Sequence, residues 1–161
     1  MADFIFNVAK GRLNEFANRV NSNDPSGSVL RVRLYKVFSG SQDDYDNCTS
    51  LGTSTTGVED IATTTIADFT NYADKTLTDS DVGALTQNDT AETLSFDISD
   101  IVWSSAGGAS NNTLAKLVFY YDSTGSDGDA CIPLAAYDFV ITTNGSDLQA
   151  TINASGLWTA S

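Results

Sequence analysis

The sequence predicts a mainly β fold: an antiparallel β-sandwich or jelly-roll-like single domain with one short N-terminal helix or arm. Three observations predict it. Serine, threonine, asparagine, aspartate and glycine dominate the polar positions, a mix that suits short strands joined by many turns, and Lys and Glu are scarce. Several stretches alternate apolar and polar residues with a period of two. The 161 residues, 41% of them apolar, are also enough to bury one core without staples. The expected division is a basic arm or helix over 1–28 and the β-sandwich over 29–161.

Taken in order, Phe4, Phe6 and Val8 alternate and favour an extended start. After Gly11 the apolar positions become Leu13, Phe16, Ala17 and Val20, one face of a helix over 11–21, which Pro25 and Gly27 stop. VLRVRLYKVF (29–38) places Leu30, Val32 and Leu34 on one face and Arg31, Arg33 and Tyr35 on the other, the pattern of a half-buried antiparallel strand. Residues 39–57 read as a long polar loop, VEDIA suggests a helical turn, and 77–92 reads as loop again. TLSFDISDIVW (93–103) reads as one strand. LAKLVFYYD (114–122) is apolar enough on both faces to lie centrally, and IPLAAYDFVITT (132–143) is expected to pair with it. Asn144-Gly145 signals a turn before LQATIN (148–153) and the terminal GLWTA. Phe96, Trp103, Phe119, Tyr121, Phe139 and Trp158 are assigned to the core.

Charge is unevenly spread. The net charge is −13, with +3 on residues 1–40 and −16 on the remainder. Phosphate binding needs clustered Lys and Arg, so nucleic acid is not an expected partner. Lys10, Arg12, Arg19, Arg31 and Arg33 are the candidate contacts to an acidic protein partner; the plainer reading is that they solubilise helix and strand faces. No membrane partner is expected, because the longest uncharged apolar run, Ala130 to Tyr137, is far short of a span. The start MADFIFNVAKGR lacks a basic n-region, so synthesis in a cytoplasm without export is expected, and the five Asn-x-Ser/Thr sequons are read as products of composition. Cys48 and Cys131 are too few for a disulfide framework.

The stretch YYDSTGSDGDACIPL gathers Asp122, Asp127 and Asp129 in a glycine-rich loop. An EF-hand loop needs a liganding Glu six residues after its Gly, and here the chain runs into Cys131 and Ile132 instead. A hairpin tip, with Gly125 and Gly128 free to take positive φ, is the simpler reading. The absence of histidine removes Ser-His-Asp, Cys-His and His-ligated metal arrangements, and no phosphate-cradling motif is present. No catalytic residue, metal ligand or cofactor site is assigned, and an enzyme is not expected. Tyr45, Tyr72 and Tyr137 are candidates for a carbohydrate platform, although no binding spacing orders them.

NVAKGR near the start, NYADKTLTDSD (71–81), DISDIVW (97–103), and the run from LAKLVFYYD through IPLAAYDFVITTNGSD to GLW carry a further signal in their order. On these motifs the chain resembles small virion structural proteins of tailed bacteriophages, over most of its length apart from the loop at 39–57. The resemblance implies a capsid decoration, or cement, protein. Such proteins are β-rich, commonly trimeric, and sit outside the shell with the major capsid protein as partner. The rivals it leaves are a head-to-tail connector and a tail- or fibre-associated module, including one that binds glycans.

Overall fold

A computed structural model of the chain describes residues 3–39, 63–126, 131–153 and 156–160. The protein is mainly β, built from antiparallel pairings and one short α-helix. Its largest sheet has the order β1 (Phe4–Ile5), β9 (Ile132–Asp138), β8 (Lys116–Asp122), β2 (Val29–Ser39) and β3 (Thr63–Ile66). A further strand, β4 (Lys75–Leu77), also pairs with β2, at Leu30–Val32, while β3 takes Tyr35 to Ser39. Since β8 occupies the other edge of β2, the two short strands share one edge end to end. Two smaller sheets complete the fold: β7 (Ile101–Trp103) with β10 (Leu148–Ala150), and β6 (Thr93–Phe96) between β5 (Thr86–Asn88) and β11 (Trp158–Ala160).

The helix α1 (Leu13–Asn21) follows from its spacing: Phe16, Ala17 and Val20 are buried on one face, with Leu13 packed beside them. Glu15 in the first turn and Arg19 in the last suit the helix dipole and pair with each other. The larger core lies between this helix, one face of the main sheet and the two small sheets. Leu30, Val32, Leu34, Leu117, Phe119 and Tyr121 supply the sheet side, and Phe96, Trp103, Leu148 and Trp158 close the opposite side. Phe96 and Trp158 stack with centroids 4.9 Å apart, an arrangement that contributes about 0.5–1.5 kcal/mol beyond area burial. This sandwich-like layering includes α1, so the boundary expected after residue 28 divides elements that share one core.

The second face of the main sheet is buried as well. Tyr35, Val118 and Tyr120 pack there with Phe6, Cys131 and Ala136, and Arg33, Lys116 and Asp122 are each 3% exposed or less. β2 is therefore not half-buried with its arginines in water, as its alternation suggested. β8 is central, between β2 and β9, and its seven residues are all buried.

Three further expectations change. Residues 93–103 are two strands in different sheets, because Asp97 and Asp100 turn the chain: Asp97 Oδ1 accepts the Ile98 N–H, and Asp100 accepts from Ile152 N and Gln149 Nε2. The strand expected over 132–143 stops at Asp138, beyond which contact is made by the isolated Thr113–Thr142 bridge and by Leu114 N–H donating to Ile141 O. The loop expected over 77–92 contains β5. The helical turn expected at VEDIA and the loop over 40–57 lie outside the described residues.

Candidate functional site

The five cationic candidates separate into two groups. Arg19 on the outer side of α1 and Arg12 just before it share one carboxylate: each donates its Nε to Glu15 at 3.0 Å, with all three side chains 41–48% exposed. The Arg12 guanidinium also lies over the Phe16 ring, 4.6 Å from its centroid. These hydrogen bonds hold the Glu15 carboxyl below its ordinary range and the two guanidinium groups above theirs. Lys10 is exposed just ahead of the helix. Two cations against one anion, with Lys10 adjacent in sequence, leave this segment positive at the surface.

Arg31 and Arg33 are not part of it. Arg33, 4% exposed at its side chain, forms an ion pair of 2.7 Å with Asp74, the residue before β4. Asp74 also accepts the Tyr72 hydroxyl at 2.6 Å and the Tyr120 hydroxyl at 3.0 Å, and the Arg33 guanidinium lies 5.0 Å from the Tyr120 centroid. Burial opposes the Arg33 charge, yet Asp74 with the phenols of Tyr120 and Tyr35 keeps its pKa above the ordinary arginine range. Arg31 donates to Asp122 Oδ2 at 3.0 Å and to the Gly125 carbonyl at 2.7 Å. The expectation that these two face a partner is corrected: a buried charge must be paired, and each finds its partner inside the chain.

Asp122 in turn explains the opening of the acidic loop. Its Oδ1 accepts Thr124 N–H at 2.9 Å, Gly125 N–H at 2.9 Å and the Thr124 hydroxyl at 3.1 Å. The carboxylate faces Arg31 and its own turn, and it is 2% exposed, so it belongs to the base of the loop and not to a solvated tip. Strands β8 and β9 pair on either side, as a hairpin requires. Asp127 and Asp129, the other members of the trio, lie outside the described residues.

Two more ion pairs stand at the margins of the sheet. Lys116, 3% exposed, meets Asp138 at 2.6 Å and lowers its carboxyl pKa by hydrogen bonding. Lys36 meets Asp68 at 2.6 Å, and Asn112 adds a second hydrogen bond, which together lower the Asp68 carboxyl. Of the tyrosines weighed as a sugar platform, Tyr72 turns its hydroxyl inward to Asp74 and Tyr137 donates to Leu157 O at 3.3 Å; Tyr45 lies outside the described residues. Asp74, Asp68 and Asp138 were not legible as partners, because their cations stand 41, 32 and 22 residues away in sequence and nothing local pairs them.

A shallow cleft of about 660 Å³ runs between the start of α1 and the β5–β6 turn, lined by Asn14, Gln87, Asn88, Asp89, Glu92, Thr93 and Leu94. An apolar groove of about 300 Å³ lies between β8, β9 and the C-terminal segment, lined chiefly by Phe119, Tyr137, Phe139, Ile152 and Leu157. Among the described residues, no three carboxylate or thiol side chains come together as a metal cage, and no helix is long and apolar enough to cross a membrane. No protein family, curated protein or solved structure matches the chain.

Proposed function

We propose that the protein is a capsid decoration, or cement, protein that binds the outside of a tailed-phage major capsid protein lattice, made in the host cytoplasm and incorporated into the virion as a homotrimer. The observation that carries this reading is how the cations are used. Arg31, Arg33, Lys36 and Lys116 are turned onto carboxylates of the same chain, whereas Lys10, Arg12 and Arg19 stand outward, with Glu15 shared between the two arginines. A positive segment on an otherwise acidic chain suits docking on an acidic protein surface. Repetition of a weak contact over a symmetric lattice, or through the arms of a trimer, supplies avidity without one tight interface. The buried ion pairs fit a structural protein, since they hold the sheet and leave their carboxylates engaged.

The test is co-sedimentation with mature shells of the phage that encodes the protein, assembled without it, counting bound copies per shell. Lattice-wide saturation, together with shells that better resist heat, is expected; the combined substitution Lys10→Ser, Arg12→Ser and Arg19→Ser is expected to lower occupancy. Unchanged occupancy by a folded triple variant sinks the docking role of these residues. Binding at one vertex only identifies a connector.

The cleft beside α1 favours one second reading, a tail- or fibre-associated module that binds host glycans. Amide and carboxylate side chains such as Gln87, Asp89 and Glu92 suit neighbouring hydroxyls. Saturable binding to a glycan array, lost on Glu92→Ala, would separate it from the cement reading.

A further inference from the structure

We propose that Asn144–Gly145 is a latent succinimide site, a point of spontaneous covalent modification that the fold holds shut through the hydrogen bonds of its own turn. Asparagine before glycine is the dipeptide in which cyclisation is least hindered, because the residue supplying the nucleophilic nitrogen has no Cβ. In the reaction the Gly145 nitrogen loses its proton and bonds to the Asn144 side-chain carbonyl carbon. The bond from that carbon to Nδ2 breaks and ammonia leaves. Water then opens the ring at either carbonyl, leaving aspartate or isoaspartate. No oxidant, metal or second protein is required.

Exposure does not protect this bond: Asn144 is exposed and water reaches it. Geometry does. The Gly145 N–H donates to Ala106 O at 2.7 Å, and the Ala106 N–H donates back across the same corner to Ser146 O at 2.9 Å. The nucleophilic nitrogen thus has its proton committed to a short hydrogen bond. The Asn144 side-chain oxygen accepts the Ser146 N–H at 3.0 Å, which fixes the electrophilic carbon in a turn of its own. The next layer holds both in place. Thr143 is 4% exposed and exchanges hydrogen bonds with Asn112, its N–H donating to Asn112 O and its Oγ1 accepting the Asn112 N–H, each at 2.9 Å. A Cβ built on Gly145 would lie 3.4 Å from the Gly108 Cα, so the two backbones are already close-packed. The ring cannot close until this corner opens.

Two consequences follow. The bond records how often the corner opens, because each opening exposes it to irreversible change. The isoaspartate product also inserts an extra backbone methylene, which moves the Gly145 N–H away from Ala106 and prevents the turn from reforming.

The experiment compares the intact protein, held warm at neutral pH, with the same chain in denaturant. Modification at Asn144 is followed by peptide mapping and mass spectrometry. The native chain is expected to react at least about tenfold more slowly, since reaction is restricted to the open fraction. Hydrogen exchange of the Gly145 amide in the native protein is measured in parallel and is expected to be slowed by a comparable factor. Equal modification rates in the two states overturn the proposal. So does rapid Gly145 exchange in a native chain that stays unmodified, because the protection would then come from something other than this hydrogen bond.

Discussion

The phenolic oxygen of Tyr72 stands where a neighbouring strand would be, accepting the main-chain N–H of Leu34 at 2.9 Å. β4 pairs with β2 only as far as Val32, and β3 takes over at Tyr35, so this N–H falls between the two short strands. The same hydroxyl donates to Asp74, which holds Arg33. One oxygen therefore joins the sheet edge to the buried ion pair. Tyr72→Phe is expected to leave the Leu34 N–H unpaired and remove a donor from Asp74, at a cost of about 1–3 kcal/mol in urea unfolding. A loss within error would mean that water takes over the hydroxyl's place.

Arg33 and Asp74 form a buried pair, with their side chains 4% and 16% exposed. Asp74→Asn removes the charge that offsets Arg33 and is expected to cost about 3–5 kcal/mol. Replacing both, Arg33→Met with Asp74→Asn, is expected to cost less than the sum of the two single substitutions, because no charge is then left stranded. Denaturant midpoints of the four proteins give the coupling directly; strict additivity would argue against the pair.

Gly107 and Gly11 both have positive φ, +95° and +76°, yet they meet different surroundings. A Cβ on Gly107 would overlap Asn111 Oδ1 and come within 2.8 Å of Thr143 Oγ1, whereas a Cβ on Gly11 meets nothing within 4 Å. Gly11→Ala is expected to cost only the left-handed backbone penalty, roughly 1–2 kcal/mol. Gly107→Ala adds a steric clash in the corner that carries Asn144, so its thermal midpoint is expected to fall further. Equal losses would show that the corner yields freely.

Stability is expected to fall at both ends of the pH range. Burial, with Asp74 adding to it, raises the Tyr72 phenol above its usual range, and burial with the Asp3 carboxylate raises Tyr137 to about 12. Unfolded phenols ionise near 10, so above that pH the folded chain binds more protons than the unfolded one. The contribution is complete below about pH 10 and shrinks toward pH 12, by up to about 1.4 kcal/mol per phenol per pH unit. Glu15, Asp68 and Asp138 run the other way: their depressed values give stability above about pH 4 that is lost as acid protonates the folded groups. Alkaline unfolding that precedes the tyrosinate absorbance change would remove the phenols as its cause.

Much of the fold was legible because it is written in local periodicity. The spacing of Leu13, Phe16, Ala17 and Val20 marks α1, the alternation of 29–38 marks β2, and the doubly apolar 116–122 marks a central strand. The break within 93–103 was hidden, because Asp97 and Asp100 end strands through partners that the local pattern does not name. The candidate site divides in the same way. Arg19 is outward because helix spacing puts it on the polar side, and sequence suffices for that, while Lys10 and Arg12 precede the helix. By itself the sequence determined the fold class, the helix, the main strands and the uneven distribution of charge. Only the tertiary structure decided that Arg31 and Arg33 are turned onto Asp122 and Asp74, and that Asn144–Gly145 is clamped to Ala106. Burial of an alternating strand depends on what covers its second face, and a hydrogen bond to a distant carbonyl depends on chain closure; neither is encoded by any short stretch of residues.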